Sequence, residues 1–183
     1  MRAHGFRRAV RWLPLLACVV LVGCAGAPSG VEPIRDFELH RYLGVWYEIA
    51  RLDHSFERGL SNVSAMYTIR KDGGVGVVNR GYDRKNGRWK QAEGKAYFVD
   101  EPTIGHLKVS FFGPFYGSYV VIDVDRDQYS YALVCGPSRS YLWILARDTS
   151  LDPAVMAELV AQAKDLGFDT DALIRVEHDQ SDR

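Results

Sequence analysis

From Gly44 to Arg147 the chain repeats one format: an apolar or aromatic run, then a turn signal. The signals are Lys71-Asp72-Gly73-Gly74, Asp83-Arg84-Lys85-Asn86-Gly87, Asp100-Glu101-Pro102, Gly113-Pro114, Asp125-Arg126-Asp127 and Gly136-Pro137-Ser138. Gly, Asn and Asp supply the positive-φ positions that short antiparallel connections demand. Eight strands are predicted, over 45–52, 63–70, 75–82, 89–99, 106–112, 116–124, 129–135 and 141–147. Strands at this spacing build an all-β sandwich or barrel. Val75-Gly76-Val77-Val78, Val120-Val121-Ile122 and Leu142-Trp143-Ile144-Leu145 are apolar on both faces, whereas Leu107-Lys108-Val109-Ser110-Phe111 alternates. That mixture favours a small barrel with an apolar interior, wide enough for one ligand. One helix follows, with Asp152 as N-cap, Pro153 in the first turn and Gly167 at the C-terminal cap. Its stripe of Val155, Leu159, Ala163 and Leu166 packs sideways on the sheet, and residues 173–176 add a short final strand.

The first 23 residues read as a signal peptide. Arg2, Arg7, Arg8 and Arg11 precede an apolar stretch over 12–22, too short for the roughly 20 residues that span a bilayer. Leu21-Val22-Gly23-Cys24 resembles a bacterial lipobox, which implies cleavage before Cys24 and acylation of that residue. Several acyl chains, each contributing about 0.8 kcal/mol per buried CH₂, hold a protein on a membrane durably. Ala25 after the cysteine implies, by resemblance to enterobacterial lipoproteins, the outer membrane, with the domain facing the periplasm. The remaining divisions are a lipidated Cys and Ala/Gly/Pro/Ser-rich flexible tether over 24–35, a barrel domain over 36–177 and a disordered tail over 178–183.

The whole chain has 23 basic and 23 acidic residues, and the leader holds 4 of the former and none of the latter, so the mature chain carries 19 against 23, or about −4. Its positive charges are scattered among acids, which argues against a nucleic-acid partner. Cys18 leaves with the leader and Cys24 is the acylation site, so Cys135 has no disulfide partner and reads as a small core hydrophobe. No metal-spaced His set, phosphate loop or Gly-x-Ser-x-Gly is present, and no cofactor is expected.

Three blocks carry a family resemblance. Gly44-Val45-Trp46 opens the first strand, Asp125-x-Asp127-Gln128-Tyr129-x-Tyr131 marks the turn between the sixth and seventh, and Arg147 closes the eighth. In this order and spacing they resemble the lipocalins. Stretches such as Tyr47-Glu48-Ile49-Ala50-Arg51-Leu52-Asp53-His54 and Phe111-Phe112-Gly113-Pro114-Phe115-Tyr116-Gly117 are similar to the bacterial, outer-membrane lipoprotein branch. The second block departs from the family pattern by one extra residue around Asp127-Gln128. The resemblance implies an eight-stranded antiparallel up-and-down β-barrel with one C-terminal α-helix and a short final strand. It also implies a carrier for a lipid, a fatty acid or lysophospholipid, in storage or transport for envelope maintenance.

In such a barrel the first and eighth strands are antiparallel neighbours, which brings Trp46 and Arg147 together at one end, where guanidinium over indole closes it. The connections over 53–62, 83–88, 113–116 and 136–140 then surround the other mouth. Alternation along strands points Glu48, Ala50, Leu107, Val109, Phe111, Trp143 and Leu145 inward, and the resemblance implies that Ala96 and Phe98 join them. A charged headgroup would sit at the rim near Arg51, His54, Arg58 or Arg139. Phe112, Phe115 and Tyr116 form an apolar rim able to touch an acyl chain, a membrane or a second copy in a homodimer. Two alternatives stay open: a lipocalin-fold enzyme acting on a lipid, with Asp53, His54, Glu57 and Cys135 as its only candidates, and a surface scaffold whose barrel has collapsed.

Overall fold

The computed structural model describes residues 26–180. The leader, Cys24, Ala25 and the last three residues lie outside that range. A short helix α1 (Leu39–Tyr42) leads into β1 (Gly44–Arg51), β2 (Leu60–Ile69), β3 (Val75–Asp83), β4 (Arg88–Phe98), β5 (His106–Ser110), β6 (Gly117–Val124), β7 (Tyr131–Cys135) and β8 (Leu142–Ala146). Helix α2 (Pro153–Asp165) and the two-residue β9 (Ile174–Arg175) complete the domain. Every neighbouring pair from β2 to β8 is antiparallel, β8 pairs with β1, and β1 pairs back onto β2 (Trp46 opposite Ala65), so the sheet closes into a barrel.

Two apolar layers result. Inside the barrel, Trp46, Tyr67, Val77, Leu107 and Leu145 belong to one cluster. Outside, Leu133, Leu142 and Ile144 of β7 and β8 pack with Met156, Leu159 and Ala163 of α2. The contact face of α2 therefore centres on Met156 instead of the expected Val155, and Val155 and Leu166 flank it half-buried. Asp152 accepts hydrogen bonds from the amides of Ala154 (2.8 Å) and Val155 (3.3 Å). At the other end Gly167, at φ +82°, donates to the Lys164 carbonyl while Phe168 donates to Ala163; this paired closure requires a left-handed residue.

One barrel end is sealed. The Arg147 guanidinium lies 3.9 Å from the Trp46 ring centroid and donates to the carbonyls of Val45 (2.7 Å), Arg41 (2.6 Å) and Tyr129 (3.2 Å). Trp46 Nε1 in turn donates to the Tyr42 carbonyl at 2.7 Å. The extra residue of the β6–β7 turn is absorbed here: Tyr129 takes φ +54°, and Asp125 accepts from the amides of Asp127 and Ser130 and from the Ser130 hydroxyl. Strand β7 consequently starts at Tyr131 and not at residue 129.

Two expected mobile segments are held. Val31, Ile34 and Phe37 are buried, the Ile34 amide donates to the Val121 carbonyl at 2.9 Å, and Gly105 donates back to Ile34. The tether expected to reach residue 35 is thus a strap on the barrel from Ala27 onward, because its apolar residues have a groove to fill. The tail is also docked through Gln180. Asn62 donates to Asp179 and accepts from the Gln180 amide, and its own amide donates to the Glu177 carbonyl at 2.7 Å.

Arg147→Ala removes the stacking contact and leaves three carbonyls without their shared donor; we expect a loss of about 2–4 kcal/mol in urea unfolding. Arg147→Lys recovers less than half of it, since an ammonium cannot stack and bridge three acceptors together.

Candidate functional site

Above the sealed end the barrel is hollow. A cavity of about 480 Å³ opens at the opposite mouth, within the range that holds a small-molecule ligand. The interior has not collapsed, which removes the premise of the scaffold alternative. Val75 and Val77 of β3, Ala96 of β4 and Leu107 and Val109 of β5 give one wall, and Trp143 and Leu145 of β8 the other. Of the residues expected to face inward, Glu48, Ala96, Leu107, Val109, Phe111, Trp143 and Leu145 line it.

Ala50 and Phe98 do not. The β1–β8 register shifts between Glu48 and Ala50, so Ile49 and Ala50 both face the outer layer under α2, and the phase inverts beyond the bulge. Phe98 belongs to the inner core but packs edge-on to Phe37 at 6.2 Å, and Phe37 lines the cavity in its place.

The same bulge turns Arg51 inward, opposite Trp143. Its guanidinium is buried, 3.2 Å from Glu48 Oε2, and donates to the carbonyls of Glu57 (3.1 Å) and Leu60 (3.0 Å). Glu57, from the β1–β2 loop, accepts from Trp143 Nε1 at 3.0 Å and lies 3.1 Å from His54 Nε2. Glu48, His54 and Glu57 all border the cavity. Burial pushes the Glu48 carboxyl well above the usual range, and neighbouring Glu57 reinforces the shift. Burial also pushes Glu57 upward, but its contacts with His54, Glu48 and Trp143 more than reverse this, and it ends below the ordinary value. The two carboxyls are thus driven apart, Glu48 toward its neutral form and Glu57 toward its ionised form. Parity reasoning missed Arg51 and Glu57 as interior groups, yet a signal exists: Glu48, Arg51, His54 and Glu57 recur at every third residue.

Deeper in the cavity, the Tyr119 hydroxyl lies 2.7 Å from that of Tyr42 and 2.9 Å from that of Tyr67. Burial drives all three phenols upward, so they stay neutral. The cations expected at the rim are mostly committed elsewhere. Arg139 faces outward, donating to the carbonyls of Leu166 (2.8 Å) and Ser29 (2.7 Å), and exposed Arg58 pairs with Asp53 at 2.8 Å. Phe112 and Phe115 of the rim are 73% and 74% exposed. Cys135 lies in the outer layer, where burial pushes its thiol up to about 12.

Because burial raises the Glu48 carboxyl in the folded state, its contribution is largest below the unfolded carboxylate pKa and fades as pH rises through the folded value. Urea titrations should show that part of the slope disappearing in Glu48→Gln, with the variant gaining on the parent toward high pH. Glu57→Ala, which strands Trp143 Nε1 and His54 Nε2, should cost about 2–4 kcal/mol at neutral pH.

A family model described as a lipocalin-like domain matches residues 37–178. The chain is 57% identical to the outer membrane lipoprotein Blc of Vibrio cholerae, covering 89% of this chain and 95% of that one. It is 51% identical to the protein of the same name from Escherichia coli K12, covering 92% and 98%. Temperature-induced lipocalin-1 of Arabidopsis thaliana is 35% identical over 78% of this chain and 80% of its own. Among solved structures, insecticyanin of Manduca sexta superposes with a TM-score of 0.66 at 22% identity, over 83% of this chain and 86% of that one; this likeness concerns the fold alone. Identity of this order to the bacterial proteins over nearly their full length makes a lipid-anchored outer-membrane location common to them and this chain. With its closed eight-stranded barrel and its Trp46–Arg147 seal, the chain belongs to the lipocalin family.

Proposed function

We propose that this protein is a membrane-tethered carrier that holds one single-chain amphiphile, a fatty acid or lysophospholipid, in its barrel for storage or transport in envelope maintenance. The observation that carries this reading is the hollow itself: sealed at Trp46, open at the other end, and lined mostly by apolar side chains. A buried CH₂ gains about 0.8 kcal/mol, so an acyl chain draws its affinity from length, without needing a built polar pocket. The headgroup stays toward the mouth, where Glu48, Glu57 and His54 border the entrance and Arg58 stands outside. Cys24 is the acylated residue, and the domain faces the periplasm.

Binding is favoured over turnover by how the polar groups are spent. Glu57 is held by Trp143, His54 and Glu48, and Cys135 is buried behind the barrel wall with its thiol protonated. If His54→Ala abolished turnover of a lipid while sparing its binding, this preference would be reversed.

Native mass spectrometry of protein purified from membranes should show about one lipid per barrel, and consistently empty protein would refute the carrier. Ala96→Phe, which adds a ring to the cavity wall, should weaken binding of a fluorescent fatty acid at least about tenfold. Cys24→Ser should release the protein from membranes into the soluble fraction.

A further inference from the structure

The floor of the cavity is polar where the tail of an acyl chain would end. Tyr42 comes from α1, Tyr67 from β2 and Tyr119 from β6, so three separate elements each bring a phenol to one point. Their rings stand just above the seal. That of Tyr42 lies 4.7 Å from Trp46 and 5.5 Å from Tyr67, and that of Tyr119 lies 6.1 Å from Tyr67. All three border the cavity.

These hydroxyls do not satisfy one another. Tyr119 sits between the other two, at 2.7 Å from the Tyr42 oxygen and 2.9 Å from that of Tyr67. Three O–H groups joined by two contacts use two protons. One phenol proton is therefore left without an acceptor among the described residues. Glu48 and Glu57, the carboxyls that act on Tyr67 through space, are engaged with Arg51, His54 and Trp143. Ionisation does not remove the spare proton, because burial drives all three phenols upward. On the sealed side, Arg147 spends its charge on three carbonyls and an indole, and its field reaches all three phenols. A cation there repels hydroxyl protons, so the spare one turns toward the hollow.

A plain alkyl end pressed onto this floor buries a donor that nothing accepts, which is costly. An oxygen at that end of the chain removes the cost and gains a hydrogen bond. We infer that the tyrosine floor is a subsite for an oxygen near the far end of the bound chain, so that the barrel prefers hydroxy- or oxo-acyl ligands to their plain counterparts. This subsite rests on the barrel carrying an acyl chain with its headgroup at the mouth. It adds a second point of recognition to a ligand otherwise held by length alone.

The test uses full-length, processed protein in a mild detergent and saturated fatty acids of several chain lengths. Each acid competes with its own ω-hydroxy or α-hydroxy derivative, and native mass spectrometry reads the ratio of the two complexes. Partition into micelles biases these ratios equally for every protein variant. The comparison is with a variant carrying Tyr42→Phe, Tyr67→Phe and Tyr119→Phe together, which keeps the rings and removes every hydroxyl. At one chain length at least, the ω-hydroxy to plain ratio should fall about fivefold or more from parent to variant. The α-hydroxy to plain ratio, whose oxygen lies at the head end, should stay within about twofold. Plain acid retained by the variant shows that its cavity is intact. Should the variant not fold, the parent alone decides, since its ω-hydroxy ratio must exceed its α-hydroxy ratio. An ω-hydroxy preference that survives removal of the three hydroxyls, or its absence from the parent at every length, overturns the subsite. If the parent retains no acid of any kind, carrier and subsite fall together, whereas plain acid bound without ω-hydroxy preference sinks the subsite alone.

Discussion

A sheet that closes on itself encloses a dry space only if one end is sealed, and here the seal is a cation laid on an indole. Arg147 does more than stack. Its three hydrogen bonds to the carbonyls of Val45, Arg41 and Tyr129 tie the start of β1, the helix before it and the β6–β7 turn to the end of β8. Those carbonyls sit where strands stop, so they lack ladder partners and burying them unpaired would be costly. One side chain thus satisfies the frayed end of the barrel and excludes water from its floor. The cavity lies above this floor, beyond the point where the Tyr42, Tyr67 and Tyr119 hydroxyls meet across the interior.

The β1 bulge has the next largest consequence. Without it Arg51 would face the layer under α2, among the apolar side chains of Ile49, Leu133 and Ile144. With it, Arg51 enters the barrel one turn of the pleat above Glu48, and the β1–β2 loop bends over to bring in Glu57 and His54. The cluster costs desolvation energy that an apolar set would not. What it provides is a fixed loop: Arg51 binds the carbonyls of Glu57 and Leu60, where the segment that rims the mouth runs into β2. The entrance is held open by a hydrogen-bonded frame, in a place where apolar side chains alone would tend to close over the hollow.

How much of this was legible in the sequence varies with the range of the interactions. Strand positions came from turn chemistry and alternation, both local, and most boundaries fall within a residue or two of the structure. The Trp46–Arg147 pairing followed from topology, since closure makes β1 and β8 neighbours. Parity failed where a local event reset it: nothing in Glu48-Ile49-Ala50-Arg51 marks a bulge except the poor fit of an arginine to the outer layer. The strap was missed for a different reason. Gly, Pro and Ser near residue 28 read as flexible, and the pull of Val31, Ile34 and Phe37 depends on a groove that exists only once β5 and β6 are paired.

That groove changes how the N-terminal segment joins the barrel. A loose linker of a dozen residues would leave the barrel free to rotate, its end-to-end distance growing as about 5–6 Å times the square root of its length. Docking from Ala27 onward attaches the chain to the barrel along a line instead of at a point. Ile34 bonded to Val121 and Gly105 resists rotation about that line, and Arg139 clamps its start to the helix end. The contacts that complete the barrel wall therefore also fix the line along which the chain enters it.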